Sequence, residues 1–241
     1  MSPEIIIAFL TLTFLEVILG IDNIIFISIV TNKLPAADQP RARLIGLSLA
    51  MVFRIMLLLG ISWLIGFNQP LFTVLEMSFS GRDLILLGGG LFLLGKSTME
   101  IHHKVEGIEG TTSNQSGKKA SLGNILFQIV LLDLVFSFDS ILTAIGLTDN
   151  IPVMIAAVIV SIIIMMVFAG RISTFINQHP SLQILALSFL MLIGFMLAIE
   201  AFEQHVPKGY IYFAVFFSMV VEVLNMRVRK KSIVNTNNTE A

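Results

Sequence analysis

Residues 16–24 read Glu16-Val17-Ile18-Leu19-Gly20-Ile21-Asp22-Asn23-Ile24, and 117 positions later the chain repeats the pattern as Asp133-Leu134-Val135-Phe136-Ser137-Phe138-Asp139-Ser140-Ile141. Each copy is an acid, five residues, an aspartate, a small side chain with an oxygen donor, and an isoleucine, set in a run too apolar to sit in water. A carboxylate in hydrocarbon costs at least a few kcal/mol, so these acids belong on an interior path or site. Four carboxylates in two matched sets point to a polyvalent cation or to protons.

The surrounding composition agrees with that setting. Hydrophobic residues make up 56% of the 241 positions and charged residues 13%, where a soluble domain carries about 25% charge. Mean hydropathy is +0.90. An integral membrane protein follows. The net charge of −1 offers no basic field for nucleic acid, so no nucleic-acid partner is expected. Cysteine is absent, which excludes disulfides and thiolate metal sites. Residues 1–4 lack a basic segment and the apolar run after them is too long for a signal peptide, so no cleavable leader is expected.

Seven apolar runs approach the roughly 20 residues needed to cross a bilayer. They fall near 5–31, 44–67, 83–99, 122–147, 151–170, 181–202 and 209–226. Pro152 suits a first helical turn, and Pro207-Lys208-Gly209 breaks the chain before the last span. The polar stretch 101–121 reads as a flexible loop and residues 230–241 as a disordered tail.

Lys and Arg stay with the cytoplasm, and here they fall on alternate connections. Lys33, Arg41, Arg43, Lys104, Lys118, Lys119, Arg171, Arg227, Arg229, Lys230 and Lys231 lie on one set, against Arg82 and Lys208 on the other. The amino terminus is therefore expected outside and the basic tail inside. Arg54 and Lys96 lie within spans.

The motifs begin spans one and four, which places three spans in each repeat. An odd number per repeat turns the second copy upside down, an arrangement transporters use with the substrate site near the midplane. The expected fold is an all-α polytopic bundle of seven transmembrane helices. It divides into repeat 1 over 1–100, the cytoplasmic loop 101–121, repeat 2 over 122–205, a seventh span over 206–229 and the tail.

Seven helical residues make roughly two full turns, so Glu16 shares a face with Asn23, and Asp133 with Ser140. Gly20 and Ser137 lie on the same stripes, where small residues permit close approach or a local opening. Asp22 and Asp139 lie about 120° away in a regular helix. Either each motif serves two neighbouring surfaces, or the helices are interrupted near Gly20 and Ser137. Carboxylates with amide and hydroxyl oxygens are hard ligands, suited to Mn, Mg or Ca ions. Arg54 is a candidate charge partner, as is Lys96, although Lys96 also reads as a side chain reaching for the cytoplasm. Glu222, well inside span seven, is a candidate additional ligand. Glu100, His103 and Glu106 read as a solvated charged face, and Glu200 and Glu203 as surface acids near the outside.

The two motifs, Gly88-Gly89-Gly90-Leu91-Phe92-Leu93-Leu94-Gly95-Lys96 and Val206-Pro207-Lys208-Gly209-Tyr210-Ile211-Tyr212-Phe213 together resemble the bacterial TerC family, in its seven-span, YgdQ-like branch. The resemblance covers nearly the whole chain. It implies a bacterial inner-membrane protein with manganese export as the activity, and metal contacts at Glu16, Asp22, Asn23, Asp133, Asp139 and Ser140. No tightly bound cofactor is expected, since Mn2+ would be cargo. The partners expected are the lipid bilayer and the divalent cation, with a membrane-protein partner or a second copy of the chain also compatible. The alternative is a non-transporting membrane partner that assists insertion or metal-loading of exported proteins. An intramembrane enzyme is not expected, because no His-Glu-x-x-His motif appears and no Ser/His pair sits at membrane depth.

Overall fold

The structure is a computed structural model describing residues 3–60, 66, 69–74, 77–106, 121–202, 204 and 207–237. Within these, the side chains of Asp22, Val74, Met77, Asp139, Leu142, Thr143, Lys208, Tyr212 and residues 229–237 lie outside the described set. Seven helices run through the described residues: α1 (Pro3–Thr31), α2 (Gln39–Leu59), α3 (Gly81–Val105), α4 (Leu122–Ile145), α5 (Ile151–Asn177), α6 (Pro180–Glu200) and α7 (Lys208–Asn237). Six contain stretches long and apolar enough to cross a membrane, and the described part of α4 adds the apolar stretch Leu122–Phe138. The chain is a polytopic helical bundle.

Local chemistry sets the helix starts. Asn150 Oδ1 accepts the Val153 amide at 3.3 Å ahead of Pro152, in the first turn of α5. The start of α3 is a capping box, in which Ser80 Oγ accepts the Asp83 amide and Asp83 Oδ2 accepts the Ser80 amide at 2.8 Å. Ahead of it, β1 (Pro70–Val74) pairs antiparallel with β2 (Met77–Ser80), an element the hydropathy pattern does not signal. Phe72 stacks on Phe79 across the pair, and Phe79 meets Phe202 edge-on, which fastens the strands to the end of α6.

Three contact series give the relative directions of the helices. Gly20 meets Met165, Ser28 bonds Ser173 and Asn32 bonds Asn177, so α1 and α5 lie parallel at a constant offset. Gly46 meets Ile129 and Arg54 bonds Ser137, so α2 and α4 are parallel as well. Arg82, at the start of α3, pairs with Glu200 at the end of α6, while Gly90 and Gly194 cross between them, which makes α3 and α6 antiparallel. All three relations fit a chain that crosses once per helix.

The α3–α6 crossing sets backbone against backbone. A Cβ at Gly90 would lie 2.6 Å from the Gly194 carbonyl oxygen, and one at Gly194 would lie 2.9 Å from that of Gly90. Backbone cannot yield as a side chain can, so both positions require glycine. Within the run Gly88-Gly89-Gly90, Gly89 packs against Val135 and Gly90 against Gly194, while nothing lies near a Cβ at Gly88. Nothing lies near a Cβ at Gly95.

Outward, Phe213, Phe216, Phe217, Leu224 and Val228 leave α7 with an exposed apolar surface suited to lipid. Two boundaries differ from the sequence reading. Helix α3 continues to Val105, and most of the expected loop, 107–120, lies outside the described residues. Helix α7 continues to Asn237, through most of what reads as a disordered tail. Arg227 to Lys231 are good helix formers with no Gly or Pro to stop them, so local propensity carries the helix onward.

Candidate cation site between the motif helices

Both motif helices are unbroken: α1 runs through Gly20 and α4 through Ser137 without interruption. Of the two geometries open from sequence, the regular helix is the one observed. Glu16 and Asp133 sit near the midpoints of their helices. At 1.5 Å per residue, Glu16 is about 20 Å along the axis from either end of α1.

Arg54, only 2% exposed, joins the two motifs. Its Nη1 donates to Glu16 Oε2, its Nη2 donates to Asp133 Oδ1 at 2.8 Å, and its Nε donates to Ser137 Oγ at 2.8 Å. Ser137 Oγ in turn donates to Asp133 Oδ2 at 3.1 Å. Asn23 Nδ2 reaches Asp133 Oδ1 at 3.4 Å, a long bond that crosses from the first motif to the second. Glu16, Asn23, Arg54, Asp133 and Ser137 are all buried. A guanidinium presents its donors in a fixed fork and keeps its charge, so it can hold two carboxylates from different helices at once.

One atom of the cluster is left over. Among the described residues, Asn23 Oδ1 is buried and has no hydrogen-bond partner. Beside it lies a cavity of about 10 Å³, bordered by Asn23, Asp133, Ala50 and Met165, at the lower limit for one water molecule. An orphaned amide oxygen costs roughly 1–3 kcal/mol when buried. An oxygen next to a carboxylate is also the donor a hard cation takes.

The other sequence-chosen residues divide. Ser140 is buried one turn along and donates to the Ser137 carbonyl at 3.3 Å. Asp22 and Asp139 lie in the helices, with side chains outside the described residues. Among the described residues no three acidic or histidine side chains converge as a metal-holding group, since the guanidinium stands between Glu16 and Asp133. Lys96 pairs with Glu100 at 2.8 Å, one turn along its own helix. No hydrogen bond or ion pair joins half-buried Glu222 to the cluster among the described residues.

Two ion-pair groups toward the helix ends escaped the sequence reading. Glu100 does not belong to a solvated face: it is 3% exposed and held by Lys33, from the α1–α2 connection, as well as by Lys96. At the opposite end of α3, Glu200 is not a solvated surface acid either but pairs with Arg82. Glu203 lies outside the described residues. Burial beside basic groups from distant sequence is the reason for both differences. The Glu100–Lys96 spacing of four was the local signal available. A polar seam of Ser28, Ser173 and Arg43, with the Asn32–Asn177 pair, also joins α1 to α5.

Residues 1–238 match the integral membrane protein TerC family. The chain belongs to that family. Among similar proteins, the UPF0053 inner membrane protein YgdQ of Escherichia coli K12 is 50% identical over 231 residues, covering 96% of each chain. A UPF0053 protein of Haemophilus influenzae is 48% identical over 229 residues, 95% of this chain and 96% of its own. The UPF0053 inner membrane protein YoaE of Escherichia coli K12 is 46% identical over 233 residues, 97% of this chain. This chain spans only 45% of YoaE's length. No solved structure matches. The names of YgdQ and YoaE state an inner-membrane location and no reaction.

Proposed function

We propose that this TerC-family chain transports a divalent metal cation, with manganese export as the favoured case, and acts as a carrier rather than a catalyst. The observation that carries the reading is the convergence of Glu16, Asn23 and Asp133 from both motif helices at mid-helix depth, with Asn23 Oδ1 buried and unpartnered. Ionisable groups so deep in a membrane helix bundle ordinarily serve an ion or proton path. Hard oxygen donors favour Mn, Mg or Ca ions over thiophilic metals.

The reading includes two inverted three-helix repeats and an inner-membrane location with the amino terminus outside. Exchanging α1 with α4, α2 with α5 and α3 with α6 turns the parallel α1–α5 pair into the parallel α4–α2 pair and returns the α3–α6 crossing to itself, which supports the repeat. The names of YgdQ and YoaE support the location. The concentration of Lys and Arg on alternate connections supports the orientation. Asp22, Asp139 and Ser140 complete the proposed ligand set.

The test is reconstitution of the purified chain in liposomes and measurement of Mn2+, Mg2+ and Ca2+ flux. Gradient-driven Mn2+ movement above that of empty liposomes, lost in Asp133→Asn, is the expected result. No flux of any of the three ions would overturn the reading.

A further inference from the structure

We propose that Arg54 is a tethered counter-cation that competes with the divalent substrate for Glu16 and Asp133, so that ion binding requires the guanidinium to release both acids. The inference rests on the transport reading and assigns Arg54 a task within it. Several features of the cluster support it.

Arg54 occupies the position an ion bridging the two motifs would need, with one nitrogen on the acid of each. Asp133 has little capacity left beside it: Oδ1 accepts from Arg54 and Asn23, and Oδ2 from Ser137. A manganese- or calcium-like ion seeks about six or more oxygens, and a cavity of about 10 Å³ gives it no room while the guanidinium is in place. Among the described residues nothing donates to Asn23 Oδ1, Arg54 included.

The choice of arginine matters. A lysine in apolar surroundings can shed its proton, whereas a guanidinium stays charged at every physiological pH. The site therefore always contains a cation, either the side chain's or the substrate's. Glu16 and Asp133 carry a formal charge of −2 between them, which Arg54 reduces to −1 while it holds both. Nε, Nη1 and Nη2 belong to one rigid plane, so releasing the acids moves the whole guanidinium and gives up the bond to Ser137 Oγ as well. A resident cation of this kind shields the acids when substrate leaves and lowers affinity enough for release.

A structural staple would behave in the opposite way, because removing it would loosen the site and weaken binding. The test is calorimetric titration of Mn2+ into the full chain in detergent at neutral pH, for the parent protein, Arg54→Gln and Arg54→Lys. Arg54→Gln should bind at least about tenfold more tightly, a gain of about 1.4 kcal/mol. Arg54→Lys should tighten binding by roughly two- to fivefold, because one ammonium cannot hold both acids as a fork does. Equal or weaker binding by folded Arg54→Gln, with the parent protein binding Mn2+, overturns the inference and leaves the transport reading standing. Should Arg54→Gln fail to fold, Arg54→Lys decides alone: tighter binding supports the inference, and unchanged or weaker binding overturns it. Absence of Mn2+ binding by every variant overturns both readings together.

Discussion

Four residues after its acid, the first motif has Gly20 and the second has Ser137, and what packs against each differs more than the motifs themselves. A Cβ at Gly20 would lie 2.1 Å from Met165 Sδ on the parallel helix α5. The equivalent place beside Ser137 is taken by Arg54 from the parallel helix α2, bonded at 2.8 Å. One half thus fills its motif with a thioether and the other with a charge. Glu16 consequently turns to Arg54 on the next helix of the chain, which also holds Asp133, and the two motifs yield one cluster. The two motif helices share a sequence pattern, while the side chain of Arg54 decides where the acids meet.

That asymmetry can be broken most severely at Asp133, which accepts from Arg54, Asn23 and Ser137, whereas Glu16's described bond is to Arg54 alone. Asp133→Leu should cost about 3–5 kcal/mol in thermal unfolding in detergent, because it leaves a buried guanidinium half paired. Glu16→Gln, which keeps a polar oxygen near Arg54, should cost visibly less. Equal losses would show that the two motifs bear the cation equally.

A smaller effect is expected from making the second motif resemble the first. Ser137→Ala removes the acceptor of Arg54 Nε and a donor to Asp133, and should cost roughly 1.5–3 kcal/mol, the range for hydrogen bonds to charged groups. The converse change, Gly20→Ala, sets a methyl group against Met165 and should cost about 1–2 kcal/mol. Shortening its neighbour with Met165→Ala should relieve most of that loss. If the relief is absent, Met165 is not what Gly20 accommodates.

These contrasts show how far the sequence could be read. The seven helices were legible because apolar runs of membrane length carry their own signal. The importance of Glu16, Asp133 and Arg54 was legible because charge is rare at membrane depth. Their arrangement was not, since which residue stands opposite Gly20 or Ser137 depends on helix pairing between distant segments. Glu100 read as a solvated acid for the same reason: Lys33 lies far away in sequence and adjacent in space. The strands Pro70–Val74 and Met77–Ser80 were hidden by their short length, and they rest on aromatic contacts with Phe202 that no local pattern announces.

The smallest effect belongs to the seam between α1 and α5, which lies apart from the charged cluster. Ser28→Ala breaks a 2.7 Å bond to Ser173 Oγ and should cost about 1 kcal/mol in the same unfolding assay, with Mn2+ binding unchanged. A change in binding comparable to that of the Arg54 variants would extend the site along α1.

The central claim, one site shared by two motifs, is tested most directly by a double-mutant cycle on Mn2+ affinity with Glu16→Gln, Asp133→Asn and the pair, in protein shown to remain folded. Acids held by one guanidinium and directed at one ion should give an interaction energy above about 1 kcal/mol, since the first substitution already dismantles the shared site. An interaction energy below about 0.5 kcal/mol would contradict the account and assign each motif an ion of its own.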